Sequence, residues 1–232
     1  MNTIIFPRTI KSFVKRHRKL TPHQATIFDA AWKRFGVDVP ASDFLDLNAN
    51  FGRSAPKIAE IGFGHGDTLL SMSIANPQCD YVGIEVHAPG VAAVLTEITQ
   101  KNTTNVRVIQ HDAVDVLEKH IPDETFSRIH IYFPDPWHKK KHHKRRMIQP
   151  PFVELLVRKL AVGGIIHSAT DWENYAQHMM RVLSAAPGLV NVIGENQFAD
   201  NAALQLRVNT KFEKRGVRLG HAVWDLLFMK KT

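Results

Sequence analysis

A chain of 232 residues with 44% hydrophobic and 22% charged side chains has the size and apolar content of one large soluble α/β domain. Its 30 Lys and Arg outnumber 22 Asp and Glu, and the formal net charge of +8 calls for an acidic partner: RNA, DNA or an anionic membrane surface. The single cysteine, Cys79, excludes an internal disulfide framework and a cysteine-based zinc cluster, and no run of about 18 apolar residues is present to span a membrane; with no apolar secretion signal at the N-terminus, the expected compartment is the cytoplasm.

Residues 1–24 read as a basic arm, in which Arg8, Lys11, Lys15, Arg16, Arg18 and Lys19 crowd around Phe13, Val14 and Leu20. Such an arm is either a disordered tail or a segment that orders over bound nucleic acid. Residues 25–232 form a single domain. Thr21-Pro22 marks a helix start leading into Ala25–Phe35, and Ala41–Pro56 is a turn-rich entry loop. A short strand then ends at Glu60-Ile61, a loop carries Gly62, Gly64 and Gly66, and a helix opens with Asp67-Thr68 as its cap. The Gly-x-Gly-x-Gly spacing is not that of a dinucleotide site, and Glu60 would repel a pyrophosphate. It suits a ligand with a cationic portion. S-adenosylmethionine fits, with an ammonium, a sulfonium and no phosphate; a bare strand–helix turn is the plain alternative.

Tyr81–Val86 is the next strand, and Glu85 near its end has the spacing of an acid that grips ribose hydroxyls, which equally suits NAD. Val106–Asp112 is a third strand, with Asp112 at its end where an adenine amino group would donate. Helices Ala88–Lys101 and Ala113–His120 separate these strands. Ile129–Phe133 is a fourth, stopped by Pro134-Asp135-Pro136. Glu60, Glu85, Asp112 and Asp135 thus lie at four consecutive strand ends, where open α/β sheets bind ligands. Directly after Asp135, six of the nine residues His138–Arg146 are Lys or Arg, as a polyanion clamp requires. Alone, that run would be a solvated charge cluster; beside Asp135 it reads as a nucleic-acid clamp at a reaction centre. His138, His142 and His143 are interleaved with cations that repel a metal ion, so no metal site is expected. Tyr132 and Trp137 are candidates to stack on a base, with core packing the alternative for Trp137. The remainder reads as helix Pro150–Leu160, a turn at Gly163-Gly164, strand Ile165–Ala169 delivering Asp171, helix Trp172–Leu183, strand Leu189–Ile193 and a last, antiparallel strand His221–Met229.

The segments Glu60-Ile-Gly-Phe-Gly-His-Gly66, Phe133-Pro-Asp-Pro-Trp137, Lys139–Arg146, Ala169-Thr-Asp-Trp-Glu-Asn-Tyr175 and Thr210-Lys-Phe-Glu-x-Arg-Gly216 together resemble the bacterial tRNA (guanine-N7-)-methyltransferase family. The similarity runs from about Lys11 to Phe228. It implies an α/β, class I (Rossmann-like) fold: a seven-stranded, mostly parallel sheet with one antiparallel strand and helices on both faces. It implies S-adenosylmethionine as cofactor and methylation of tRNA at N7 of the variable-loop guanine, guanine 46. Carried over by residue, Glu60, Gly62, Gly64, Gly66, Glu85, Asp112 and Asp135 hold the cofactor, and Asp135 is also catalytic. Lys139, Asp171, Thr210, Lys211, Phe212 and Glu213 meet the substrate; Lys141, His142, His143, Lys144, Arg145 and Arg146 meet the RNA. Oligomeric state is left open. The chain departs from the family pattern at His17, where glycine is usual, and at Arg207-Val208, where an Arg-Pro pair is usual; the second bears on how the Thr210 loop is presented to tRNA. Two rivals are weaker: a small-molecule or protein methyltransferase has no use for Lys139–Arg146, and a non-catalytic RNA-binding protein need not place four acids at strand ends.

Overall fold

In a computed structural model, the described residues are 11–13, 22–204, 206–208 and 222–231. Among them, seven strands form one sheet: β1 Lys57–Ile61, β2 Asp80–Glu85, β3 Val106–Gln110, β4 Phe126–Tyr132, β5 Leu160–Thr170, β6 Leu189–Asn191 and β7 Trp224–Lys230. Their order is β3-β2-β1-β4-β5-β7-β6. β1 to β5 are mutually parallel, and β7 runs antiparallel between β5 and β6. β1 and β2 are buried at every position, the pattern of central strands covered on both faces.

Side-chain alternation along the strands separates two apolar layers. Ile58, Tyr81, Val106 and Val108 face α1 (Pro22–Phe35), α3 (Asp67–Ala75) and α4 (Ala88–Gln100), contributing to one cluster with Phe35, Leu69, Val94 and Leu95. Ala59, Ile61, Val82, Ile84, Ile109, Ile129 and Ile131 face α5 (Ala113–His120), α6 (Pro150–Lys159) and α7 (Glu173–Ala185), packing with Leu117, Val153 and Met179. The strand order reverses between β1 and β4, so the carboxyl ends of these two diverge into a crevice, the place where such sheets bind ligands.

Four local expectations are corrected. Ala41–Pro56 is not all loop: α2, Leu47–Phe51, is capped by the Asp46 carboxylate, which accepts from Ala49 N–H at 2.9 Å, but five residues are too few to leave a helical period in the sequence. Gly163-Gly164 is not a turn; β5 runs through it, with Gly163 at φ +77° beside a register shift against β4, so the glycines serve an irregularity inside a strand. β3 stops at Gln110, and Asp112 caps α5 instead of ending the strand. Gly66, at φ +78°, is the N-cap of α3, and Asp67 lies inside its first turn. At the β3 edge the chain leaving α1 forms a bridge, Gly36 against Val108, with Val37 N–H donating to Val108 O at 2.9 Å. Asn201–Leu204 forms a short helix, α8. No helix among the described residues is long and apolar enough to cross a membrane.

Candidate active site

The crevice holds a cavity of about 460 Å³ lined by Glu60, Gly62, Gly64, Gly66, Glu85, Asp112 and Asp135, so all seven residues expected at a cofactor converge on one space. The glycine loop is folded by its backbone. Gly62 and Gly64 lie at φ +70° and +57°, a region that L side chains rarely adopt, and Gly66 additionally packs where a Cβ would meet Val94 Cγ2 at 2.1 Å. Glu85 braces this loop: Oε2 accepts from Gly64 N–H at 3.0 Å, and Oε1 accepts from Val86 and His87 N–H at 2.6 and 2.9 Å. Asp112 caps α5 and accepts from Val114 N–H at 3.1 Å.

Glu60 differs from the other acids. It sits inside β1, opposite His130 of β4, and is only 3% exposed. Its Oε2 is buried with no hydrogen-bond partner. Burial pushes the carboxyl up to about 8, against a smaller downward pull from the Arg207 guanidinium. A cationic ligand group would satisfy the orphaned oxygen.

Asp135 follows β4 on a constrained turn. Phe133 and Trp137, on either side of it, both sit at positive φ, +50° and +48°, and Phe133 N–H donates to Ala169 O at 2.8 Å. Non-glycine residues held there mark a turn that its surroundings over-determine. The carboxylate itself is exposed. Beyond it, Lys140–Arg145 coil into one 3-10 stretch with Lys139 at its start. Lys139, Lys140, Lys141 and Lys144 are exposed, while His142, His143 and Arg145 are half-buried.

Arg146 corrects the expected RNA clamp. It is 3% exposed, its Nε donates to Pro136 O at 2.9 Å, and one Nη donates to Asn174 Oδ1 at 2.7 Å. Its guanidinium lies 4.8 Å from the Tyr175 ring centroid. Arg146 therefore pins the Pro-Asp-Pro turn to α7 and does not face a phosphate. Trp137 is also engaged within the protein: its indole N–H donates to Ser12 O at 3.2 Å, and Arg145 stacks 4.8 Å from its ring. Tyr132 is 8% exposed, with its hydroxyl on His167.

That hydroxyl begins a buried polar chain. Tyr132 O–H reaches His167 Nδ1 at 2.9 Å, and His167 Nε2 reaches Asp225 Oδ1 at 2.7 Å. Arg207 closes it with a two-pronged contact, Nε to Oδ1 at 2.8 Å and Nη to Oδ2 at 2.9 Å. Burial pushes Asp225 up, but His167 and Arg207 outweigh it and hold the carboxyl below its ordinary value. His167 is pushed down, mainly by burial, and stays neutral. Since ionised Asp225 only accepts, His167 carries its proton on Nε2 and accepts a hydrogen bond from the Tyr132 hydroxyl at Nδ1.

A family model described as "Putative methyltransferase" matches residues 54–226. A tRNA (guanine-N(7)-)-methyltransferase from Alcanivorax borkumensis is 51% identical over 225 residues, covering 97% of this chain and 93% of that protein. One from Psychromonas ingrahamii is 51% identical over 223 residues, covering 96% and 90%. The chain belongs to the tRNA (guanine-N7-)-methyltransferase family. Among solved structures, the 16S rRNA methyltransferase KamB superposes with a TM-score of 0.60 at 13% identity, covering 85% of this chain and 98% of that one. At that identity the likeness concerns the fold alone, and the fold is the class I methyltransferase sheet expected from the sequence.

In this methyltransferase, Lys139 and Asp171 lie outside the cavity lining, on the β4 and β5 side of it. Thr210, Lys211, Phe212 and Glu213, like His17, lie outside the described residues. The sequence reading missed Ser12, Phe13 and Met147 in the cavity lining, and the whole chain from Tyr132 to Arg207. Phe13 carried a usable signal, an aromatic inside a basic segment; the buried chain carried none. Among the described residues, no group of three or more His, Cys, Asp or Glu is placed to hold a metal ion.

Proposed function

We propose that the enzyme transfers a methyl group from S-adenosylmethionine to N7 of the variable-loop guanine of tRNA, guanine 46, in the cytoplasm. The observation that carries this reading is the buried Glu60 carboxyl with an unpartnered oxygen, in a cavity shared with Glu85, Asp112 and Asp135, the last of which leads in the chain to an exposed lysine cluster. When bound, S-adenosylmethionine supplies a methyl group on a positively charged sulfur. Glu60 would meet its cationic end and Asp112 its adenine amino group. Glu85 already accepts three N–H bonds, which leaves about one of its roughly four acceptor sites for a ribose hydroxyl.

Guanine N7 carries an in-plane lone pair, so no proton leaves before attack and no general base is needed. N7 takes the methyl carbon as the carbon–sulfur bond breaks, its electron pair staying on sulfur, and the positive charge passes to the purine. The Asp135 carboxylate beside that charge favours its migration; the rest of the rate comes from alignment. Lys139, Lys140, Lys141 and Lys144 hold tRNA phosphates, and Ser12 and Phe13 bring part of the basic segment to the cavity wall. Lys139, Asp171 and Thr210–Glu213 meet the guanine and its surroundings. Incubation with labelled S-adenosylmethionine and unmethylated tRNA tests the reading: label is expected in N7-methylguanosine of the variable loop. Label in another nucleoside, or none in tRNA, would refute it.

A further inference from the structure

The cavity occupies the carboxyl ends of β1 to β4, and among the described residues none from β5 lines it. With the methyl donor on that side, the carboxyl end of β5, next to β4 in the sheet, is an adjoining place for the second reactant. Trp172 stands there, immediately after Asp171, and is 36% exposed. Its ring is met edge-on by His138, with centroids 4.2 Å apart and planes at 77°, which fixes the plane of the indole. His138 lies three residues beyond Asp135, on the same turn, so this contact ties the orientation of Trp172 to the proposed reaction centre. Trp172 is the N-cap residue of α7, but its side chain makes no capping bond, so the helix does not need an indole at this position. The aromatics favoured by sequence are engaged within the protein: Tyr132, which lines the cavity, is 8% exposed with its hydroxyl on His167, and Trp137 is held by Ser12 and Arg145.

We propose that Trp172 is a base-stacking residue that receives the target guanine once it leaves the tRNA stack. The chemistry around it fits that occupant: His138, which holds the indole, leads into the exposed Lys139, Lys140 and Lys141, which suit a polyanion, and the neighbouring Asp171 is an acceptor for the donor edge of a purine. The inference rests on the proposed tRNA guanine methylation. Its energetic scale is that of one base on one aromatic, and loss of the ring is worth roughly ten-fold or more in affinity.

The test compares wild type with Trp172→Ala, Trp172→Leu and Trp172→Phe, in methyl transfer to tRNA, in S-adenosylmethionine binding and in thermal unfolding. Wild-type transfer to tRNA guanine N7 is measured first, and its absence overturns the parent reading and this inference together. Given that activity, kcat/KM for tRNA is expected to fall roughly ten-fold or more in Trp172→Ala, with S-adenosylmethionine affinity unchanged. Phe should restore it to within about three-fold, because it keeps a π face, whereas Leu should not. Wild-type tryptophan emission should be quenched by tRNA, and Trp172→Phe should lose that part of the quench. Equal rescue by Leu and Phe would reduce Trp172 to packing and overturn the inference, as would unchanged kcat/KM in Trp172→Ala with an intact fold. In both cases the tRNA methylation itself would stand.

Discussion

The sheet has two halves that differ in what lies on one of its faces. Under β1, β2 and β3 both faces are apolar, and the polar groups gather at the strand tips, as Glu85 and Asp112 do. Across β4, β5 and β7 the α5–α7 face is still apolar, through Ile131, Ile166, Leu226 and Phe228, but the opposite face carries His130, Tyr132, His167 and Asp225, closed by Arg207. Glu60 stands at the border, directed to the polar face from the last apolar strand. The first half provides rigid tips for a small ligand by packing alone. The second half fixes its strands and Arg207 by directional bonds, and its stability is therefore concentrated in a few atoms.

Removing one of those atoms should produce the largest effect. Arg207→Met leaves the Asp225 charge, 1% exposed, without its two-pronged partner, and a stability loss of about 3–5 kcal/mol is expected by chemical denaturation. Substituting Asp225 by Leu as well should recover part of it; a loss under about 1 kcal/mol for the single variant would show that the halves do not differ. On the tip side, Asp135→Asn should fold normally, because the carboxylate is exposed, yet turn over about 10²–10³-fold more slowly. Near-normal turnover would remove Asp135 from the reaction.

Glu60→Gln tests the border. With its carboxyl raised from 4.5 to about 8, folded Glu60 keeps a proton that the unfolded chain releases, so this residue makes the protein less stable as pH rises through that window. Gln does not titrate. The variant should gain stability relative to wild type from pH 4.5 to 8, by a few kcal/mol at the upper end, and should bind S-adenosylmethionine poorly throughout. A pH-independent difference would mean that Glu60 is ionised in the fold. The smallest effect belongs to the exposed cations. Lys140, Lys141 and Lys144 changed together to Ala should lower the slope of log affinity for tRNA against log salt by roughly two to three, leaving S-adenosylmethionine binding as it was. Arg146 is kept out of that set, since its loss would release the Asp135 turn.

The division also explains which features the sequence disclosed. Strand tips are punctuated locally: Gly62, Gly64, Pro134 and Pro136 stop the strands, and the acids beside them were readable without tertiary information. Asp112 was found at the right place with the wrong local role, because a cap and a strand end look alike two residues apart. The polar face was invisible, since His167 and Asp225 are 58 residues apart and neither stands out in its own strand. Arg146 failed for a related reason. One cation among six goes inward only because α7 brings Asn174 and Tyr175 beneath it.

The bridge at the β3 edge has a consequence for how the molecule behaves in a crowded solution. An open outer strand is a template for other chains, and strand-to-strand addition of that kind ends in aggregates. Here the segment after α1 lies against Val108 and occupies part of that template, while the opposite edge is only three residues long. The arrangement depends on Gly36: a Cβ there would fall 2.2 Å from the Trp32 ring, which stacks on Phe28 with centroids 5.3 Å apart. A single added methyl group would force the indole to shift beside the Gly36–Val108 bridge, so the cover over this edge is tied to a glycine remote from the chemistry.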